Sequence, residues 1–201
     1  MARQRATDTE SVIAAAARVF ERKGYNDTTI GDIAEEAGIS NPTVYQYAKS
    51  KQWLLETIME RFLYPMSEQM GEVLASDASP VEKLESYIYR SVRGAARLQT
   101  YYRVVFTDQG ALSPLAARRF QDWAREVDAT IEHLLRDCVE AGAIRDDVDL
   151  VVATNLLNSL LSGVHRWYRP KDRLQPDYIA DEALKFLSGF ILTPTGRRPP
   201  G

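Results

Sequence analysis

Residues 28–51 read Thr28-Thr29-Ile30-Gly31-Asp32-Ile33-Ala34-Glu35-Glu36-Ala37-Gly38-Ile39-Ser40-Asn41-Pro42-Thr43-Val44-Tyr45-Gln46-Tyr47-Ala48-Lys49-Ser50-Lys51. Thr29 is placed to cap a short helix on which Ile30, Ile33 and Ala34 form one apolar stripe at helical spacing. Gly38 follows, where a left-handed backbone ends a helix at little steric cost. Ser40 caps the next helix, and Pro42 lies in its first turn, where a missing N–H does no harm. Val44 turns inward and leaves Asn41, Thr43, Tyr45, Gln46 and Tyr47 outward. A surface helix usually carries Glu and Lys there; this one carries hydrogen-bonding side chains and two tyrosines. The pattern predicts a helix-turn-helix whose second helix enters a DNA major groove.

Position within that helix divides the roles. The outward face at its start reaches the groove floor, so Asn41, Thr43 and Gln46 are expected against base edges, with Pro42 beside them as a further DNA-binding residue. Its flanks reach the backbone, which places Tyr45, Tyr47, Lys51 and the Thr29 hydroxyl on phosphates.

Outward from the motif the pattern stays helical. Thr7-Asp8-Thr9-Glu10 has capping-box spacing, with Thr7 as the cap, and Val12, Ala16, Val19 and Phe20 form the stripe behind the motif. Ser50 caps a fourth helix through Trp53, Leu54, Ile58, Phe62 and Met66, which Pro65 should bend by removing a backbone donor. Further helices are expected over 81–98, 101–108, 114–141, 148–168 and 177–192. No segment alternates with period two for long enough to predict a strand. The expected fold is all-α, with a three-helix DNA-binding domain over 1–51 and a helical ligand-binding and dimerisation domain over 52–192. Residues 193–201, rich in Pro, Gly and Arg, read as a disordered tail.

Composition bounds the function. The 201 residues carry 45% apolar side chains and a net charge of −3, ordinary for a globular protein and mildly against a nucleic-acid binder. The balance is local: within 1–51, seven basic side chains face seven acidic ones, so the acidic excess lies wholly downstream. Arg3, Arg5, Lys49 and Lys51 stand where a DNA backbone could reach them. Few phosphate contacts imply weak binding by one copy, so two are needed. The lack of a long apolar run or a leader-like N-terminus points to a cytoplasmic protein with no membrane partner. The single cysteine, Cys138, sits among Leu134, Leu135 and Val139 and reads as a buried, inert thiol. An enzyme is disfavoured: His133 and His165 are far apart, there is no second cysteine for a zinc set, and no cofactor-binding glycine loop or nucleophile elbow appears.

The sequence resembles the tetracycline-repressor-like (TetR) family of bacterial transcription regulators. The resemblance runs through a first helix over 10–23, Gly24-Tyr25, Thr28-Thr29-Ile30, Asp32-Ile33-Ala34, Ala37-Gly38-Ile39-Ser40, Thr43-Val44-Tyr45, Tyr47 and Ser50-Lys51. It departs at Ala48, where the family usually has Phe or another bulky apolar residue, leaving packing there either looser or filled by Trp53. It departs again at Gly31, where some relatives carry a basic DNA-contacting side chain. The resemblance implies a ligand-responsive regulator, most simply a repressor, released from its operator by a small effector.

The last two helices are apolar on more than one face, which calls for a second partner. Leu150, Val151, Ala153, Leu156, Leu157, Leu160, Leu161, Val164 and Trp167 cover the first, and Ile179, Ala183, Leu184, Phe186, Leu187, Phe190 and Ile191 the second. Pairing them with their copies gives a four-helix bundle about a two-fold axis, hence a homodimer and an inverted-repeat operator. Control by an effector needs an apolar pocket among helices 53–66, 81–108, 114–141 and 148–168, with Tyr102, Phe106, Trp123 and Trp167 as wall candidates. The stretch His165-Arg166-Trp167-Tyr168-Arg169-Pro170, followed by Leu174, is similar to the TetR branch that senses CoA thioesters. For such an effector, Arg103, Arg166 and Arg169 are the phosphate candidates; a plain apolar acid is the other effector class. Two uses are open to the 165–170 side chains, effector binding and dimerisation. The competing function is a ligand-blind architectural DNA-binding dimer, which needs no pocket.

Overall fold

The computed structural model describes residues 8–169 and 174–190, which form helices with no β-strand among them. In chain order these are α1 (Thr9–Lys23), α2 (Ile30–Ala37), α3 (Asn41–Tyr47), α4 (Lys51–Ala75), α5 (Pro80–Arg97), α6 (Gln99–Asp108), α7 (Pro114–Glu140), α8 (Leu150–Trp167) and α9 (Pro176–Phe190), with a 3-10 turn at Gln109–Ala111 after α6. The described residues fall into two compact units, one drawn from Met1–Tyr64 and Thr100–Gln121, the other from Pro65–Gln99 and Asp122–Gly201. The expected helices are all present; α4 runs on to Ala75, nine residues past Met66 where its expected stem ended, and the other ends within the described residues shift by no more than two residues. No helix among the described residues is long and apolar enough to cross a membrane.

The first unit is built on α1. Its cap is Asp8, not Thr7, which lies outside the described residues. The Asp8 carboxylate accepts from Ser11 N–H at 2.7 Å, and the Ser11 hydroxyl accepts from Asp8 N–H at 3.0 Å. Asp caps as well as Thr, and Ser11 supplies the reciprocal bond that Glu10 was expected to make; Glu10 instead pairs with Arg61. Val12, Ala16, Val19 and Phe20 are buried as expected, and Ile13, Ala15 and Ala17 join them. Burial of each large side chain contributes roughly 1.5–3 kcal/mol. The same unit holds an aromatic cluster in which Phe62 of α4 meets Tyr102 edge-on at 4.4 Å. Tyr102 stacks on Phe106 at 5.6 Å, and Phe106 meets Phe120 of α7 edge-on at 5.6 Å.

In the second unit α5 packs against α8 and α9, burying Leu84, Ile88, Val92 and Ala95. Gly94 lets α5 approach α4 closely, since a Cβ there would lie 2.8 Å from Met66 Sδ. Helix α4 continues unbroken through Pro65, and the division between the units falls at that residue. Cys138 is fully buried, and burial raises its thiol to about 11. On α8, Ala153, Leu157, Leu161 and Val164 face this unit's own core, whereas Val151, Val152, Leu156 and Trp167 are exposed. Arg3, Arg5, Pro170, Ile191 and the tail over 193–201 lie outside the described residues.

Candidate nucleic-acid interface

The motif is held by reciprocal caps. Thr29 Oγ1 accepts from Asp32 N–H at 3.1 Å, while Thr29 N–H and the Thr29 hydroxyl both donate to Asp32 Oδ2 at 2.8 Å. The Thr29 hydroxyl, expected on a phosphate, is therefore engaged in both directions by the cap. Gly38 takes a φ of 69°, the left-handed turn that only glycine adopts cheaply, and α3 starts with Ser40 accepting from Thr43 N–H at 3.4 Å. Val44 is fully buried, Asn41, Pro42, Tyr45 and Gln46 are exposed, and Thr43 and Tyr47 are half-buried. Ala48 is itself buried, with Trp53 half-buried one turn into the next helix. At Gly31 an added Cβ would lie 3.4 Å from Thr29 Oγ1 and 3.7 Å from Asn41 Nδ2. The missing side chain thus leaves room for Asn41 at the start of α3.

Much of the unit's positive charge is internally matched. Glu36 takes Arg18 Nε at 2.7 Å and Arg22 Nη2 at 3.2 Å, and Asp32 takes Lys23 Nζ at 2.6 Å. Lys23 and the Thr29 cap hold the Asp32 carboxyl far below the usual carboxylate range, and Arg18 lowers that of Glu36. Lys49 is exposed between α3 and α4.

Lys51 departs most from expectation. Its ammonium donates to three carbonyls of the α1–α2 loop, Tyr25 O at 2.8 Å, Thr28 O at 2.9 Å and Asn26 O at 3.3 Å. It also lies 4.3 Å from the centre of the Tyr25 ring. Beside it, burial raises the Asp108 carboxyl, opposed by a hydrogen bond from Tyr25 N–H and by the Lys51 charge. Sequence reasoning missed Tyr25 and Asp108; the only local signal was an aromatic residue directly after the helix-ending Gly24.

The expected effector residues divide between the units. Tyr102, Arg103 and Phe106 lie in the first, where Arg103 donates to Glu21 at 2.8 Å. Trp123, Arg166, Trp167 and Arg169 lie in the second. Arg169 donates to the carbonyls of Arg166 at 3.1 Å and Tyr168 at 2.9 Å. Trp167 is 51% exposed and lines a groove of about 600 Å³ with Arg166, Leu174, Tyr178 and Phe186. A second groove of about 500 Å³ is lined by Val152, Leu156, Leu160 and Phe186. The face formed by α8 and α9 is thus broad and apolar.

The family model described as Tetracyclin repressor-like, C-terminal domain, matches residues 77–191, more than half of the chain. The chain belongs to the TetR family. A second TetR model, Bacterial regulatory proteins, tetR family, matches residues 12–58 and takes in the whole helix-turn-helix. The HTH-type transcriptional repressor KstR2 of Rhodococcus jostii is 26% identical over 183 residues, covering 89% of this chain and 88% of that protein. The structure of the ketosteroid regulator KstR2 of Mycobacterium tuberculosis superposes with a TM-score of 0.87 at 22% identity, covering 92% of this chain and 95% of that one. AibR, solved with isovaleryl coenzyme A and operator DNA, superposes at 0.76 with 21% identity over 89% of this chain and 96% of that one. As a TetR protein the chain is a DNA-binding transcription regulator, not an enzyme, and α2 and α3 are its helix-turn-helix.

Proposed function

We propose that this protein is a ligand-responsive repressor that binds an inverted-repeat operator as a homodimer and is released by an apolar acid or an acyl-CoA. The observation that carries the reading is the apolar face of α8 and α9, where Leu156 is 67% and Phe186 56% exposed. A face this apolar is characteristic of a subunit interface, and a second copy covers it with two-fold symmetry. The domain division remains 1–51 for DNA and 52–192 for effector and dimer.

On DNA, Asn41, Thr43 and Gln46 meet base edges beside Pro42, and Tyr45 and Tyr47 flank them on the phosphates. Two such helices in a dimer read half-sites about 34–36 Å apart. The effector class is supported by the Arg166-Trp167-Tyr168-Arg169 stretch and by the acyl-CoA bound in AibR. Within the second unit, Trp123 is the candidate for its apolar contacts. Arg166 and Arg169 are better placed for phosphates than Arg103, which Glu21 already engages. An effector that favours the conformation with mis-spaced recognition helices weakens DNA binding by the factor by which DNA weakens its own binding.

The test joins two measurements on the full chain. Acyl-CoAs and free acids are screened by thermal shift, where a ligand at a hundred times its Kd adds about 2.7 kcal/mol. Each hit is then added to the protein bound to a duplex selected from a randomised pool. A hit that raises the melting temperature and lowers duplex affinity supports release. Unchanged affinity with every hit would favour the ligand-blind DNA-binding dimer.

A further inference from the structure

We infer that Lys51 is a positioning residue of the DNA-binding unit rather than a phosphate ligand, and that Lys49 carries the phosphate contact at this end of the recognition helix. The inference rests on the DNA-binding reading above. It assigns the two lysines that flank Ser50 to different tasks.

An ammonium has three protons, and the carbonyls of Tyr25, Asn26 and Thr28 converge on that of Lys51. A phosphate oxygen could be bonded only by giving up one of these carbonyls. The face toward Tyr25 is closed by the ring. The Asp108 carboxylate beside it adds an attractive charge. Thr28 lies directly before the Thr29 cap of α2, is almost wholly buried, and donates its hydroxyl to Gly24 O at 2.7 Å. Lys51 is also the first residue of α4, four positions after α3 ends. One side chain therefore ties the start of α2 to the end of α3, and with them the angle at which α3 meets the groove. Lys49 is exposed in the same connection, so its charge is open to a phosphate.

The two roles separate in salt dependence. Each phosphate contact contributes about 0.9 to the slope of log affinity against log salt, and a residue that only positions others contributes none. The probe is a duplex selected from a randomised pool with the full-length wild-type protein, titrated between about 50 and 200 mM salt at a temperature where circular dichroism shows every variant folded. Lys51→Met should lose affinity about tenfold or more at every salt concentration, with a line parallel to wild type. Lys51→Arg should lose comparably, because a planar guanidinium does not match three converging carbonyls. A phosphate ligand would instead tolerate that change. Lys49→Met should flatten the slope by about 0.9 for each contact removed. Amide exchange over 25–33 in the free protein should quicken in both Lys51 variants and not in Lys49→Met.

If Lys51→Met flattens the slope while Lys51→Arg restores affinity, Lys51 is a phosphate ligand and the inference is wrong. Unchanged affinity in both folded Lys51 variants overturns it as well. If Lys51→Met does not fold, Lys51→Arg decides alone, and wild-type affinity there rejects positioning. A wild-type protein that enriches no duplex removes the DNA-binding reading itself, and this inference with it.

Discussion

Arg103 on α6 donates to the Glu21 carboxylate on α1 at 2.8 Å, and the Thr100 hydroxyl reaches the other oxygen of the same carboxylate at 2.8 Å. Both side chains of the ion pair are about three-quarters or two-thirds shielded from solvent, so the bond is worth more than an ordinary surface pair. Helix α6 is thus fastened at its start to α1. Glu21→Ala should lower unfolding free energy by about 1–2 kcal/mol. In a double-mutant cycle with Arg103→Ala, the losses should be clearly less than additive. Urea unfolding of the four proteins checks this. The same set tests effector binding: if Arg103→Ala weakens an acyl-CoA thermal shift and Glu21→Ala does not, the guanidinium also serves the effector.

Base readout should follow exposure on α3. Gln46 is exposed two residues from the buried Val44, on the opposite face of α3, so Gln46→Ala should relax preference at one position of each half-site by about 1–3 kcal/mol. Its salt slope should stay that of wild type, since no phosphate contact is removed. Competition between a selected duplex and single-base variants measures both. A uniform loss over all variants would move Gln46 from the bases to the backbone.

The helix-turn-helix was almost fully legible because its determinants are local. Thr29, Gly38, Ser40 and Pro42 act on the backbone within four residues of themselves, and each does what its chemistry dictates. Helical periodicity likewise gave the all-α fold, because a 3.6-residue stripe needs no knowledge of its partner. What stayed hidden depends on contacts distant in sequence. Lys51 reads as a cation free for DNA until the carbonyls 23 to 26 residues earlier are seen around it. Leu156 and Leu157 are indistinguishable as apolar residues at the edge of one stripe. A rotation of about 100° per residue puts the second in its own core and the first outside. Thr7 and Asp8 are both good caps one residue apart, and only Ser11 decides between them.

Acid should weaken the motif through Asp32. Lys23 and the Thr29 cap depress its folded pKa below the ordinary 3.8, so its stabilisation is fully present above that value. It is lost as pH falls below the ordinary value toward the folded one. Asp32→Asn removes the titrating group and the Lys23 ion pair. It should leave a protein less stable at neutral pH whose stability falls less steeply between about pH 5 and pH 2. Chemical denaturation at a series of pH values measures the slope, and equal slopes in the two proteins would show that Asp32 has no part in acid sensitivity.

The exposed face of α8 and α9 predicts the outcome of three substitutions that sequence alone would treat alike. Leu157 is 2% exposed and faces its own unit, so Leu157→Glu buries an unpaired carboxylate and should unfold or precipitate the chain. Leu156 and Phe186 point outward, so Leu156→Glu and Phe186→Glu leave each subunit's core intact. In a two-fold dimer each change acts twice, placing like charges in a dry interface. Both variants should therefore remain helical and soluble but sediment as monomers at micromolar concentration, where wild type sediments as a dimer. They should also lose duplex affinity, because one recognition helix reads only one half-site. Analytical ultracentrifugation with circular dichroism on the same samples tests the prediction. A wild-type protein that is monomeric under those conditions, or a Leu156→Glu variant that still dimerises, would mean that this face is covered by something other than a second copy.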